Sequence, residues 1–224
     1  GSAILKFMLV VEKFFLWVPW PVLIIAVGPL AWRVMGKWWS GLMMAGMLFF
    51  MGALGNWELT MRTLSLVTSA VIISLAIGIP LGILMASSDI FEKILKPILD
   101  GMQTMPSFVY LIPAIVFFGI GMVPGLIATV IFVLPAPIRL THLGISSTPT
   151  SLLEAADAFG ATPGQKLWKV ELPYAAPQIM AGLNQTIMLS LSMVVIAALV
   201  GADGLSVPVV RALNQVNTAL GFES

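Results

Sequence analysis

Cysteine is absent from this 224-residue sequence, and only 9% of its residues are charged. The absence of cysteine excludes disulfide bonds and metal sites with thiolate ligands. Soluble domains contain about 25% charged residues, so this chain has too few charges to cover a water-exposed surface. The net charge is +1 and Lys and Arg form no dense cluster, which argues against a nucleic-acid partner. The single histidine, His142, has no second ligating residue at metal-ligand spacing, so no metal site is predicted.

Apolar residues are what the sequence has in abundance: they make up 59% of the chain, and the mean hydropathy is +1.03. A helix needs about 20 mostly apolar residues to cross a bilayer. Six stretches are apolar enough to qualify, and strand-like alternation is absent. We therefore predict an all-α, polytopic membrane helical bundle. The predicted spans are residues 17–32, 38–55, 60–86, 106–120, 123–138 and 176–200.

Charged residues outside the predicted spans indicate the orientation. The stretch 3–15 has a short apolar run interrupted by charges, so we predict an interfacial segment rather than a signal peptide. Most Lys and Arg residues fall on the side of loop 139–175, which the positive-inside rule makes cytoplasmic. The N-terminus is then outside. The cytoplasmic set is Arg33, Lys37, Lys93, Lys96, Arg139, Lys166 and Lys169, and the opposite set is Lys6, Lys13, Arg62 and Arg211.

The predicted cytoplasmic loop begins with a short helix. Ser151 is placed to cap its N-terminus, and Glu154, three residues later, would complete a capping box. Gly160 follows the helix, at a position where the backbone φ angle is often positive. The apolar residues of this helix lie near one face at helical spacing. They are Leu152, Ala155, Ala156 and Phe159.

A second short helix follows in the same loop. Thr162 and Pro163 are placed as its N-cap and first residue, and Pro173 is expected to end it. An apolar face beside a charged remainder has two explanations. It docks on a partner surface, or it packs on the protein's own spans or in the lipid headgroups. Spacing alone leaves both open.

The chain lacks the residues that nucleotide binding and catalysis require. No Gly-x-x-x-x-Gly-Lys-Ser/Thr motif occurs, and the nearest string, Gly160 to Lys166, has the wrong glycine spacing. The spans contain no paired carboxylates and no histidine cluster, which argues against a membrane enzyme. We predict no catalytic and no cofactor-binding residue, so the energy for any active transport must come from a partner.

Polar side chains in the predicted spans are candidates for a translocation path, although the same residue types also form helix–helix hydrogen bonds. Arg62 and Arg139 lie near span ends, and the lack of an ionisable residue in mid-span argues against a proton- or sodium-coupled carrier. Gly78 and Gly82 are predicted close-packing positions, and Pro80 a kink. The path candidates are Gln103, Thr104, Ser107, Tyr110, Asn184, Gln185, Thr186, Ser190 and Ser192.

The loop also carries a family signature. Glu154-Ala155-Ala156, then Gly160, then Val170-Glu171-Leu172-Pro173 resembles the EAA loop of ABC importer permeases, with Val170 where isoleucine is commoner. Other segments resemble the glycine betaine/proline betaine branch of these permeases. The resemblance is close over residues 59–215 and looser over 17–58. The segments are residues 78–82, 102–110, 118–125, 134–141 and 184–197.

The resemblance implies the type I ABC importer permease fold, also called MetI-like. Residues 1–58 would hold the interfacial segment and two additional spans. Residues 59–224 would form the permease core, with four of the five core spans and a cytoplasmic coupling loop at 146–175. Family members carry a further span after the segment that matches 203–222. We therefore expect six spans here and a seventh missing at the C-terminus.

In function, the resemblance implies the pore-forming subunit of an importer in the bacterial inner membrane that takes up glycine betaine or proline betaine by alternating access. Its partners would be two ABC ATPase subunits, which bind ATP and Mg, an extracytoplasmic substrate-binding protein and a second copy of this chain. The alternatives are choline, carnitine or trimethylamine N-oxide as cargo, or a stand-alone secondary carrier. Glu154 would contact the ATPase subunit, cap its own helix, or do both. The docking residues would be Ser151, Leu152, Glu154, Ala155, Ala156, Phe159 and Gly160.

Overall fold

The computed structural model describes the backbone of residues 2–215 and the side chains of residues 4–211. This part of the chain is helical and contains no strand. A 3₁₀ turn at Ser107–Tyr110 and a π turn at Leu167–Glu171 interrupt the α-helices. The α-helices are α1 (Ser2–Trp17), α2 (Trp20–Met35), α3 (Trp38–Ala53), α4 (Trp57–Ser87), α5 (Asp89–Thr104), α6 (Leu111–Phe118), α7 (Met122–Val133), α8 (Pro135–Ser146), α9 (Thr150–Ala158), α10 (Pro163–Lys166), α11 (Leu172–Ala198) and α12 (Ser206–Gln215).

Three stretches of helix in the described residues are long and apolar enough to cross a membrane: α4, Met122–Ser146 and Pro163–Ala198. Two further spans result if each bent pair of helices counts as one. The bend is 86° between α1 and α2 and 111° between α5 and Ser107–Phe118. The predicted fourth span is therefore a segment of only about 18 Å that follows a sharp bend. The helix α3 is shorter than a full span, and the number of six spans stays a prediction.

The described residues group into two compact units. The first consists of the described residues of Gly1–Ser69, Phe117–Leu126 and Val194–Ser224. In this unit α2 packs against α3, and a Cβ atom on Gly41 would lie only 2.6 Å from the carbonyl oxygen of Gly28. The two backbones can approach this closely because Gly41 carries no side chain.

The second unit consists of Ala70–Val116 and Ile127–Met193, and most of α8 is buried within it. The helix α4 contacts α8 through two glycines. An added Cβ would lie 2.7 Å from Pro137 Cγ at Gly78 and 2.6 Å from Thr141 Cβ at Gly82. The predicted close-packing role of these two glycines is thus confirmed.

Two other helices of this unit contact α8. A Cβ on Gly144 would lie 2.9 Å from the Cβ of Ala175, in the first turn of α11. On the α5 side, Arg139 forms an ion pair with Asp100. Because the contacts at Gly78, Gly82 and Gly144 are made by backbone or by short side chains, they leave little room for α8 to shift independently of α4 and α11.

Candidate coupling loop and polar face of α11

The N-cap of α9 lies two residues earlier than the sequence predicted. This residue is Pro149, at φ −58° and ψ +135°, and no side chain caps the helix. Proline sets its own φ without needing an N–H donor, so Thr150 is already helical and Ser151 lies inside the first turn. The predicted capping box of Ser151 and Glu154 is therefore wrong. The Glu154 side chain is exposed instead of being used by the helix terminus.

The C-terminus of α9 has the predicted glycine geometry. Gly160 adopts φ +72°, and its N–H donates to the carbonyl of Asp157 at 2.9 Å. The N–H of Ala161 reaches back to the carbonyl of Ala156 at 3.0 Å. These two bonds form a Schellman motif, which uses carbonyls that the end of a helix leaves without partners. The prediction of a positive φ at Gly160 is confirmed.

The start of the second helix is also as predicted, with Thr162 as the N-cap and Pro163 following it. The Thr162 hydroxyl accepts from the Gln165 N–H, and the Gln165 side chain accepts from the Thr162 N–H at 2.9 Å. The sequence signal for this reciprocal capping box was Thr and Gln three residues apart. Gln165 therefore has a structural role at the start of this helix.

Pro173 does not end this helix, contrary to the sequence prediction. The helix continues from Pro163 to Ala198. The N–H of Leu172 donates to the carbonyl of Leu167 across the wider π turn at Leu167–Glu171. Pro173 follows directly in the chain, where its missing N–H is tolerated because the backbone is already shifted out of the regular i to i−4 pattern.

The two short helices form one unit, the coupling hairpin, which we define as residues 150–171. The helix α9 packs against the turn at Leu167–Glu171. An ion pair of 2.7 Å between Asp157 and Lys166 joins the two halves. The Schellman motif and the capping box fix the backbone between them. The hairpin is therefore stiff for a loop. The sequence did not indicate the Asp157–Lys166 ion pair, because this pair depends on how the chain turns between the two helices.

The apolar side chains of the coupling hairpin face outward. Phe159 is 92% exposed, and Leu152 is 43% exposed. No residue of α9 is buried. Of the predicted docking residues, Ala156 alone is half-buried, whereas the remaining six are exposed: Ser151, Leu152, Glu154, Ala155, Phe159 and Gly160. The exposure of Phe159 does not fit the explanation that this face packs on the protein's own spans, which leaves a partner surface or the lipid headgroups as its neighbour.

The polar candidates on α11 separate onto two faces. Gly182, Thr186 and Ser190 are buried, and the Thr186 hydroxyl donates to the Gly182 carbonyl of its own helix at 2.7 Å. The opposite residues are mostly exposed and line a concavity of about 490 Å³. We call these residues the α11 polar face: Ala181, Asn184, Gln185, Met188, Leu189 and Ser192.

The other path candidates lie near residue 105. In the described residues they do not form a single site with the α11 polar face. Gln103 and Thr104 are exposed at the end of α5, and Ser107 is half-buried. The Tyr110 hydroxyl donates to the carbonyl of Met102, so this side chain ties the 3₁₀ turn to α5.

His142 has a carboxylate neighbour that its sequence surroundings did not indicate. Its Nε2 lies 3.9 Å from Glu92 Oε1 on α5 and 3.3 Å from Ser146 Oγ. No group of three His, Asp or Glu side chains suited to a metal ion occurs within residues 2–215.

The part of the chain that matches a known protein family includes the coupling hairpin and α11. Residues 78–222 match the family described as "Binding-protein-dependent transport system inner membrane component". The chain belongs to this family. It is accordingly a membrane component of a transporter, as the EAA signature predicted. The family works with ATPase and substrate-binding partners.

Curated relatives in this family cover most of the chain. It is 52% identical over 207 residues to the glycine betaine/carnitine transport permease protein GbuB of Listeria monocytogenes, covering 91% of this chain and 73% of that protein. It is 47% identical over 209 residues to the glycine betaine/proline betaine transport system permease protein ProW of Escherichia coli, covering 93% of this chain and 59% of ProW. The chain thus spans part of the length of each relative.

The fold has a counterpart among solved structures. The inward-facing MetNI methionine ABC transporter superposes with a TM-score of 0.65 at 23% identity, over 72% of this chain and 82% of that chain. At this identity the likeness concerns the fold alone. The predicted MetI-like permease fold is confirmed.

Proposed function

We propose that this permease is the pore-forming subunit of an ATP-driven importer for a betaine-type quaternary ammonium osmolyte. The coupling hairpin is the observation that carries the proposal. Phe159 is 92% exposed on a stiff element whose two ends continue into long helices, α8 through residues 147–149 and α11 directly. A force applied to this element by a nucleotide-binding neighbour reaches both helices.

The transmission path runs through close backbone contacts. The helix α8 touches α4 at Gly78 and Gly82 and touches α11 at Gly144. Packed elements of this kind move as rigid bodies rather than deforming gradually. ATP binding on the partner would therefore shift α4, α8 and α11 together and alternate access between the two sides of the membrane.

The α11 polar face is the proposed lining of the path. Asn184, Gln185 and Ser192 are exposed on a helix of membrane-spanning length. Amide groups facing lipid would leave hydrogen bonds unmade, so this face requires water, cargo or a second protein surface. Amide N–H groups can donate to the carboxylate of a betaine. No ionisable side chain lines the face, which favours weak binding that allows release.

The cargo rests on the relatives. GbuB is named for glycine betaine and carnitine and ProW for glycine betaine and proline betaine. We propose glycine betaine or proline betaine as the cargo, with carnitine, choline or trimethylamine N-oxide as alternatives. The quaternary ammonium itself would be held by aromatic side chains of the external binding protein.

The proposed assembly contains two copies of this chain, two ATPase subunits with ATP and Mg, and an extracytoplasmic binding protein. Residues 139–175 would be cytoplasmic and the N-terminus outside, following the distribution of Lys and Arg. The α11 polar face of each copy then has the other copy, or the path between them, as its neighbour.

Reconstitution in liposomes tests the proposal. The permease, its ATPase and its binding protein are reconstituted together, and uptake of radiolabelled glycine betaine is followed with and without ATP. We expect uptake to need ATP and both partners. Uptake by the permease alone, without nucleotide, would instead indicate a secondary carrier. Stronger competition by carnitine, choline or trimethylamine N-oxide than by proline betaine would change the proposed cargo. The proposal of an ATP-driven importer would stand.

A further inference from the structure

A second aromatic side chain is exposed on the coupling hairpin. Trp168, in the π turn at Leu167–Glu171, is 70% exposed. The neighbouring Lys169 is exposed as well. Trp168 is not among the predicted docking residues of α9. A large exposed indole on a stiff element indicates an interaction surface.

Lipid is a poor occupant for this indole. The helix Pro163–Ala198 has 36 residues, so it is about 54 Å long, and Trp168 lies about 45 Å along its axis from Ala198. The hydrocarbon core is about 30 Å thick, and the whole bilayer about 40–45 Å. Lys169 and Glu171 lie between Trp168 and the apolar part of the helix. The predicted span begins at residue 176, so Trp168 lies about 12 Å outside the hydrocarbon core, on the side of the coupling hairpin.

Trp168 belongs to the same structural element as α9. The helix α9 packs directly against the turn that carries Trp168, and the Asp157–Lys166 ion pair at 2.7 Å fixes the two halves. A partner that seats α9 and Phe159 therefore meets Trp168 on the same rigid element. Preorganised aromatic anchors lose little entropy on binding, and Trp is among the residues that contribute most at protein interfaces.

We propose that Trp168 is a second anchor for the ATPase subunit, next to Phe159, so that the docking surface extends from α9 onto the π turn. The proposal rests on the proposed function, since the partner is the ATPase of that function. It predicts an apolar recess on the ATPase for the indole, separate from the cleft that receives α9. The π turn places the indole at the junction where the hairpin becomes α11.

Cysteine labelling tests this directly, because the chain contains no native cysteine. Phe159→Cys, Trp168→Cys and, as a control, Lys37→Cys are made in the assembled transporter. Inverted membrane vesicles, which expose the cytoplasmic face, are labelled with a charged maleimide before and after the peripheral ATPase is removed with urea. Lys37 is a suitable control because it is exposed, belongs to the predicted cytoplasmic set and lies outside the coupling hairpin.

We expect the ATPase to protect the cysteines at 159 and 168 and to leave labelling at 37 unchanged. Protection at 159 with full labelling at 168 overturns the second anchor and keeps the proposed function. Equal labelling at both positions with and without the ATPase counts against the proposed function itself. A cysteine at 168 that stays unreactive after the ATPase is removed places the indole in lipid or protein and also overturns the proposal.

Binding provides a second measurement. Trp168→Ala should weaken the affinity of the permease for its ATPase by about tenfold, within the range of interface anchors, whereas Trp168→Phe should retain most of it. Trp17→Ala should leave the affinity unchanged. An unaltered affinity in Trp168→Ala, in protein that inserts and purifies normally, overturns the proposal.

Discussion

Arg62 and Asp203, 141 positions apart in the sequence, form an ion pair of 2.8 Å between Nη1 and Oδ2. The same guanidinium contacts Glu58 at 2.7 Å and lies 3.7 Å from the largely buried carboxylate of Glu12 on α1. Next to this cluster, the N–H of Leu205 donates to the Thr63 hydroxyl at 3.0 Å. One side chain at the start of α4 thus fastens both α1 and the segment after α11.

Removing this guanidinium should destabilise the protein more than removing any of its exposed partners. Arg62→Ala leaves the buried Glu12 carboxylate without its cation, which costs about 1–3 kcal/mol. Glu58→Gln removes an exposed i to i+4 pair and should cost at most about 0.5 kcal/mol. Thermal unfolding of the purified variants gives the order. Equal losses for Arg62→Ala and Glu58→Gln would show that Glu12 and Asp203 contribute nothing.

Gly160 should not tolerate a side chain, for reasons of backbone conformation alone. Its φ is +72°, and a Cβ there would meet no atom within 4 Å. Gly160→Ala should therefore strain the Schellman turn by about 1 kcal/mol and lower uptake per ATP hydrolysed. The measurement is the ratio of transport to ATPase activity in proteoliposomes.

Gly164 is the matched control for that experiment. It also has open space around it but no positive φ. Gly164→Ala should leave the transport ratio unchanged. More severe changes, Gly160→Asp and Glu154→Lys, should uncouple ATP hydrolysis from uptake while the protein still enters the membrane. Normal uptake in both would contradict docking through α9.

Gly82 tests the contact between α4 and α8. A Cβ there would lie 2.6 Å from Thr141 Cβ and 2.7 Å from the Ile138 carbonyl oxygen, so Gly82→Ala forces the helices apart. We expect a loss of about 1–3 kcal/mol, typical of overpacking. Gly101→Ala in α5, where the Cβ meets nothing, should be neutral or stabilising. Thermal unfolding of both variants measures these effects. Unchanged stability in Gly82→Ala would contradict the close contact between α4 and α8.

The α11 polar face should be needed for uptake and not for folding. Replacing both Asn184 and Gln185 with leucine removes exposed amides without disturbing the buried face. We expect uptake to fall about tenfold, corresponding to a barrier raised by roughly 1.4 kcal/mol. Met180→Leu, an exposed substitution on the same helix that removes no polar group, is the control. Unchanged uptake in the double variant would show that transport does not need these two amides.

Local chemistry was predictable in the coupling hairpin where a few neighbouring residues decide it. The positive φ of Gly160 and the N-cap at Thr162 follow from residues within one helical turn. The cap at Ser151 was wrong because Pro149 had already started the helix. The helix end at Pro173 was wrong because a π turn, which no residue pattern announced, absorbs the missing N–H.

Composition and a spaced motif, which are properties of the chain alone, were enough to predict the membrane class, the family and the location of the coupling hairpin. Which polar residues of α11 are accessible depends instead on how the helices pack. Gly182 lets α11 approach α8 at Leu140, which buries Thr186 and Ser190 and leaves Asn184 and Gln185 exposed. Tertiary packing likewise joined Arg62 to Asp203, since an ion pair between distant residues forms only where the backbone brings them together.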